Sequence, residues 1–162
     1  MFIKSKDNQK IKLVRSLENK KARDLHGFYI IEGIKLIEEA IKENICFEFI
    51  FISENLNDKK DLSNLIKCLD ENKIEYHSLD NNLFKEVSNT VNSQGIIGIA
   101  KKTKHNIEAI IENYNFMVFC DKLQDPGNLG TIIRTADAFG PCALVLSPSC
   151  VDAYNDKTVR AC

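Results

Sequence analysis

Short apolar runs alternate along this chain with segments of helical periodicity, and that alternation limits it to a layered α/β architecture. Residues 7–24 place Ile11, Val14 and Leu17 on one stripe among lysines, which predicts a single amphipathic helix stopped by Gly27. Phe28 to Ile31 reads as a strand ending at Glu32-Gly33, followed by a helix carrying Ile34, Ile37, Ala40 and Ile41. Phe47 to Ile52 repeats the strand signal, and residues 60–71 set Leu62, Leu65, Ile66 and Leu69 at helical spacing. Ile74 to Leu79 is expected as a strand, Asn81 to Val87 as a short helix, and Gly95 to Ala100 as an apolar strand whose glycines allow close backbone approach. Residues 1–101 are thus expected to form one small α/β layer domain.

Polar residues and lysines then mark a change. Residues 102–113 are expected to be a linker and a short helix around Ile107 to Glu112, with His105 a solvated linker residue. From residue 114 a second unit begins: the strand Phe116 to Cys120, a turn-rich loop Asp121 to Gly130, the helix Thr131 to Phe139, a stop at Gly140-Pro141 and the strand Ala143 to Leu146. Such a βαβ unit implies a parallel pair of strands. All three prolines (Pro126, Pro141, Pro148) fall in this unit. Residues 114–162 hold too little to close a core of their own, so the chain is expected to stop inside its second domain with uncovered strand faces.

A hydrophobic content of 44% excludes general disorder, and no apolar run approaches the roughly 20 residues of a membrane span. The amino terminus lacks a signal-peptide core, so a soluble, cytoplasmic protein without membrane partners is expected. Six scattered cysteines, with no C-x-x-C pair and no histidine at ligand spacing, give no support for a metal site. Cys46 and Cys120 are expected in the core, and no cysteine is assigned as a nucleophile.

Charge is unevenly spread. Eight basic residues (Lys4, Lys6, Lys10, Lys12, Arg15, Lys20, Lys21, Arg23) against three acids give residues 1–24 a net charge of +5, while the whole chain carries −1. Such a segment can hold a nucleic-acid backbone or form an ordinary solvated helix face. Lysines outnumber arginines 18 to 4, so each arginine carries more information than each lysine.

Asp125-Pro-Gly-Asn-Leu-Gly130 joins the first strand of the second unit to its helix, where ligands bind in βαβ units. It lacks both the phosphate-loop and the dinucleotide glycine patterns, and a tight turn capped by Asn128 also accounts for it. Helical projection puts Leu129, Ile132, Ile133, Ala136 and Phe139 within an arc of about 120° facing a core, with Arg134 opposite. Arg134 is expected either to pair with Asp137 or to stand over the loop toward a phosphate or ribose.

The run Asp125-Pro-Gly-Asn-Leu-Gly-Thr-Ile-Ile-Arg-Thr-Ala-Asp-Ala-Phe-Gly140 closely resembles the first motif of the SpoU (TrmH-like) family of RNA 2′-O-ribose methyltransferases, within the SPOUT superfamily of trefoil-knotted enzymes. Leu146-Ser-Pro-Ser149 and Tyr154 to Ala161 also resemble the family. Asn8 to Lys21, Phe28 to Gly33 and Ser93 to Gly98 resemble the first basic helix, first strand and last strand of the family's amino-terminal domain.

The resemblance implies an αβα sandwich in residues 1–101 that binds RNA substrate, similar to certain ribosomal proteins. It implies that residues 114–162 are the first βαβ part of an α/β-knot methyltransferase domain, homodimeric in the complete enzyme. Asn128 and Arg134 fall on the motif's asparagine and arginine, the latter assigned to the target ribose; Asn128 would cap or brace the loop. The implied function is S-adenosylmethionine-dependent 2′-O-ribose methylation of RNA, with ribosomal RNA the expected partner. Lys10, Lys12, Arg15, Lys20, Lys21 and Arg23 are the expected RNA contacts, with Lys157 and Arg160 either contacting RNA or lying on a solvated surface. The second and third family motifs are absent from residues 1–162, so the cofactor site is expected beyond Cys162 and this chain alone is expected to be inactive. A noncatalytic RNA-binding module and a small nucleotide-binding α/β enzyme are the alternatives.

Overall fold

The computed structural model describes residues 2–56, 59–90 and 92–162, and the chain divides into two compact units, residues 1–101 and 102–162. In the first, β1 (Phe2–Ile3), β2 (Phe28–Glu32), β3 (Phe47–Ser53), β4 (Tyr76–Leu79) and β5 (Ile96–Lys101) form one sheet in the order β1-β4-β3-β5-β2. β4 pairs parallel with both β1 and β3, whereas β5 pairs antiparallel with β3 and β2. The helices are α1 (Gln9–Ser16), α2 (Lys20–His26), α3 (Ile34–Lys42), α4 (Lys59–Glu71) and α5 (Asn81–Val87).

β3 has Phe49, Ile50, Phe51 and Ile52 buried in succession, the pattern of a strand covered on both faces. Phe49 and Phe51 join Ile11, Val14 and Leu17 from α1 and its end and Leu83, Phe84 and Val87 from α5 in one cluster. Ile50 points to the opposite face, where α3 packs: a Cβ on Gly98, which pairs with Ile50, would lie 2.4 Å from the Phe47 ring and 3.5 Å from Ile37. Gly98 is therefore fixed by close packing rather than by backbone freedom.

Two expectations for this unit change. The single helix over 7–24 is two helices with a corner at Leu17 to Asn19. Asn8 and Asn19 each accept a hydrogen bond from the amide two residues on, giving each helix its own N-cap. The corner is held by Arg23, 4% exposed, whose Nη1 donates to the carbonyls of Leu17 at 2.7 Å and Glu18 at 2.8 Å, groups the end of α1 leaves without helical partners. Cys46, expected in the core, is exposed one residue before β3 begins. The edge strand β1 is too short to give a sequence signal of its own.

In the second unit α6 (Ile107–Asn113) buries no residue, and β6 (Met117–Cys120) and β7 (Ala143–Leu146) pair in parallel, joined by α7 (Pro126–Ala138). α8 (Asp156–Ala161) comes last. Cys120 is buried as expected, whereas Phe139, expected on the core stripe, is 84% exposed. Phe139 is the C-cap of α7, where the stripe has run past the residues the helix covers. Phe116, Met117 and Phe119 are also exposed, and no described helix is long and apolar enough to cross a membrane.

His77 on β4 is 3% exposed, between the rings of Phe49 and Phe51 at 6.1 and 6.2 Å, with Nε2 3.1 Å from Glu75 Oε1. Burial, with Lys10 nearby, holds its pKa below the ordinary 6.5, and Glu75 opposes this only in part. The folded form resists a proton that the unfolded chain accepts, so the stabilisation is complete above pH 6.5 and declines as pH falls toward the lowered folded value. Urea midpoints should drop between about pH 7 and about pH 5.5, and His77→Leu should flatten that decline. An equal decline in the variant would place its origin elsewhere.

Candidate functional site

The motif of the second unit is built around the start of α7, which lies five residues nearer the amino terminus than the sequence pattern predicts. Asp125, rather than Asn128, is the N-cap: its Oδ1 accepts from the Asn128 amide at 2.7 Å, and Pro126 takes the first helical position, where a missing N–H costs nothing. Asn128 thus lies inside the first turn, exposed, with no described partner for its side-chain amide. Asp-Pro is itself the signal for this start.

Gly130 is buried. A Cβ there would meet the Cβ of Ala161 at 2.5 Å and its backbone at 2.7 and 2.9 Å, so the glycine admits α8 against α7 rather than a ligand against the loop. Leu129 and Ala136 are buried beside it, and Arg134 is exposed as its helical position demands. Arg134 forms no ion pair with Asp137; its Nη2 lies 3.4 Å from Thr131 Oγ1, which in turn donates to the Gly127 carbonyl at 3.0 Å. Its charge also reaches Cys162, lowering a thiol pKa that burial, the larger effect, raises.

At the carboxyl ends of β6 and β7 the two adjoining loops are laced together. Lys122 N donates to Ser147 Oγ at 3.2 Å, Gln124 Nε2 to the Ser149 carbonyl at 2.9 Å, Val151 N to the Leu123 carbonyl at 2.7 Å, and Cys150 Sγ to the Cys120 carbonyl at 3.2 Å. This lacing has no sequence signature beyond the serines of Leu146-Ser-Pro-Ser149. An apolar groove of about 620 Å³ lies elsewhere in the unit, between Phe116 and Val118 on one side and Ile132 and Phe139 on the other.

Most of the basic residues of the first unit are already engaged. Lys10 pairs with Glu75 at 3.0 Å and lies 4.3 Å above the Phe49 ring; Lys12 meets Asp7 at 3.2 Å, and Lys20 meets Asp24 at 2.7 Å. Lys6 and Arg15 both pair with Glu86, with Lys6 the larger influence holding its carboxyl below the usual range. Lys10 does the same for Glu75. Such surface pairs are weak. Lys21 is exposed, whereas Arg23 is buried as the α1–α2 corner and is removed from the expected RNA contacts. In α8, Lys157 is exposed and Arg160 pairs with Asp156 at 3.0 Å.

No group of three or more His, Cys, Asp or Glu among the described residues is placed to hold a metal ion. The residues around α7 do not enclose an S-adenosylmethionine molecule either: the loops at the strand ends bond to each other, and Ala161 occupies the space at Gly130.

A sheet domain with a basic amino-terminal segment is thus followed by a parallel strand–helix–strand unit with an exposed arginine on its helix. Residues 8–98 match the MRM3-like substrate binding domain and residues 115–162 match the SpoU rRNA Methylase family. The chain belongs to the SpoU rRNA methylases, with a substrate-binding domain of the MRM3-like type. It is 35% identical over 159 residues to the 23S rRNA (guanosine(2553)-2'-O)-methyltransferase RlmP of Bacillus subtilis, spanning 98% of this chain and 59% of that protein. It is 32% identical over 166 residues to the mitochondrial rRNA methyltransferase 3 of Xenopus laevis, spanning 96% of this chain and 37% of that protein. An rRNA methyltransferase from Sinorhizobium meliloti, also solved in an AdoMet-bound form, superposes with a TM-score of 0.82 at 26% identity. That alignment covers 99% of this chain and 60% or 59% of the solved chains. The chain thus spans at most about three fifths of these relatives.

Two substitutions test this local architecture. Gly130→Ala should cost the second unit about 1–3 kcal/mol, since α8 must retreat from α7. Asp125→Ala should cost about 1 kcal/mol through loss of the cap. Denaturant melts combined with hydrogen exchange at α7 and α8 measure both, and a Gly130→Ala protein as stable as the parent would refute the close contact.

Proposed function

We propose that the complete protein is an S-adenosylmethionine-dependent RNA 2′-O-ribose methyltransferase acting on ribosomal RNA, with residues 1–101 binding substrate and α7 facing the target ribose. The observation that carries this reading is Arg134, exposed on a helix whose Asp125 cap and Gly130 contact are both tied to the sixteen-residue motif. Matches to both family models in one chain support it over a noncatalytic RNA-binding module or a nucleotide-binding enzyme. So do the RlmP and mitochondrial relatives, named as rRNA methyltransferases, and the AdoMet-bound neighbour.

A guanidinium is permanently protonated at working pH and makes a poor base. Arg134 instead holds the phosphate beside the target ribose and stabilises negative charge developing on the 2′-oxygen. Asn128, with its amide free of described partners, braces the loop against substrate. Lys10, Lys12, Arg15, Lys20 and Lys21 contribute phosphate contacts by exchanging their surface pairs, and Lys157 and Arg160 do so from α8. S-adenosylmethionine is the methyl donor of the complete protein, a reading the AdoMet-bound neighbour supports. The same reading makes the protein cytoplasmic and homodimeric; exposed Phe116, Phe119 and Phe139 support an interface on the second unit.

In the complete protein, Arg134→Ala should slow single-turnover methyl transfer on the order of a hundredfold while leaving the melting temperature unchanged. A matching loss of stability would make Arg134 structural instead. Residues 1–162 alone should show no saturable heat on titration with S-adenosylmethionine. Their affinity for a ribosomal RNA fragment should fall steeply with salt, and neutralising Lys10, Lys12 and Arg15 should reduce that slope. Salt-independent affinity would refute the phosphate-contact role.

A further inference from the structure

The first unit contains a groove that its basic segment does not explain. It has a volume of about 820 Å³, within the range of ligand sites, and opens where β3 ends, β5 begins and α5 starts. Ser53, Asn55, Asn81, Lys85, Asn92 and Gln94 line it, and none of the described residues that line it is acidic, while the neighbouring Glu54 carboxylate accepts from the Asn81 amide at 3.2 Å.

Its wall is set in advance by a buried carboxylate. Glu32, at the end of β2, accepts from Ser88 Oγ and Ser93 Oγ at 2.6 Å, from Thr90 Oγ1, and from the Asn89 amide at 3.3 Å. These bonds consume the hydroxyls and hold Ser88, Asn89, Thr90 and Ser93, so these parts of the wall need little ordering when a ligand binds. Gln94 Oε1 accepts from the Ile34 amide at 2.8 Å, which ties this stretch to the start of α3 and leaves the Gln94 amide nitrogen as a donor. The side chains of Asn55, Asn92 and Lys85 have no described partners. The open functional groups are therefore carboxamides, each pairing a donor with an acceptor, and one ammonium. Ile34 and Leu56 supply apolar wall between them.

Neutral donor–acceptor pairs at fixed positions suit the edge of an unpaired base, and a single cation suits its phosphate. A base inside a duplex presents neither its pairing edge nor its face to such a concavity. Deepening the proposed function, and resting on it, we propose that this groove receives an unpaired nucleotide of the RNA substrate. Asn55 and Asn92 bond the base edge, and Lys85 meets the adjoining phosphate. The basic segment then contributes affinity, and the groove contributes the choice of looped over paired RNA.

The test uses residues 1–162 and two fluorescent RNAs of equal charge: a hairpin whose loop is about ten unpaired nucleotides of randomised sequence, and a fully paired duplex. The looped RNA should bind at least about tenfold more tightly in anisotropy titrations. The double variant Asn55→Ala, Asn92→Ala should lose that preference while keeping its duplex affinity. Lys85→Ala should weaken looped RNA and reduce its salt slope by about one. All three residues are exposed, so thermal melts should match the parent. Equal affinity of the parent for both RNAs, or a preference that survives the double variant, overturns the groove assignment and leaves the methyltransferase reading standing. Failure to bind either RNA overturns both.

Discussion

β3 depends on having both edges hydrogen-bonded and both faces covered, and the rest of the first unit is arranged around that requirement. β4 pairs with it along Ile50 to Ser53 on one edge and β5 along Phe47 to Ile52 on the other, with a register shift between Phe47 and Phe49, so the buried part of the strand has its backbone groups paired on both sides. Phe49 and Phe51 then need α1 and α5 on one face, while Ile50 and Gly98 admit Phe47 and α3 on the other. Because strands that end together bring their next loops together, the same pairing assembles the groove beside Ser53, Asn81 and Gly95. The core and the candidate RNA surface are thus consequences of one strand order.

The second unit solves a smaller problem with polar devices. With two strands and an uncovered face, little apolar area is available to fix the motif helix. Its position comes instead from the Asp125 cap, the absence of a side chain at Gly130 and the bonds that lace the loops after β6 and β7. A motif read as a ligand cradle therefore does mostly structural work. Arg134 and Asn128 stay exposed because those devices ask nothing of their side chains.

Buried charge in this chain is used to position backbone. Arg23 satisfies the carbonyls at the end of α1, and Glu32 gathers three hydroxyls and an amide from the stretch before β5. Each resolves a local shortage of partners in a place water does not reach, and each replaces a surface role that charge alone would imply. The exposed lysines are the opposite case, held in weak pairs that a polyanion can displace.

The kinds and order of most elements were determined locally. Apolar runs with helical stripes between them located β2 to β5, α3 to α5 and the βαβ unit, and the exact span of α5 is set by the Asp80 cap that precedes it. The sixteen-residue motif carried the family resemblance, and its Asp125-Pro126 pair also marks the helix start. Tertiary structure alone decided the break after Leu17, the burial of Arg23 and the exposure of Cys46 and Phe139, since each depends on which neighbour covers which face. It alone decided that Gly130 serves Ala161 and that Arg134 leaves Asp137 unpaired. The groove was invisible for the same reason: Asn55 is far in the chain from Lys85 and Asn92, and only the strand order brings their side chains to one opening.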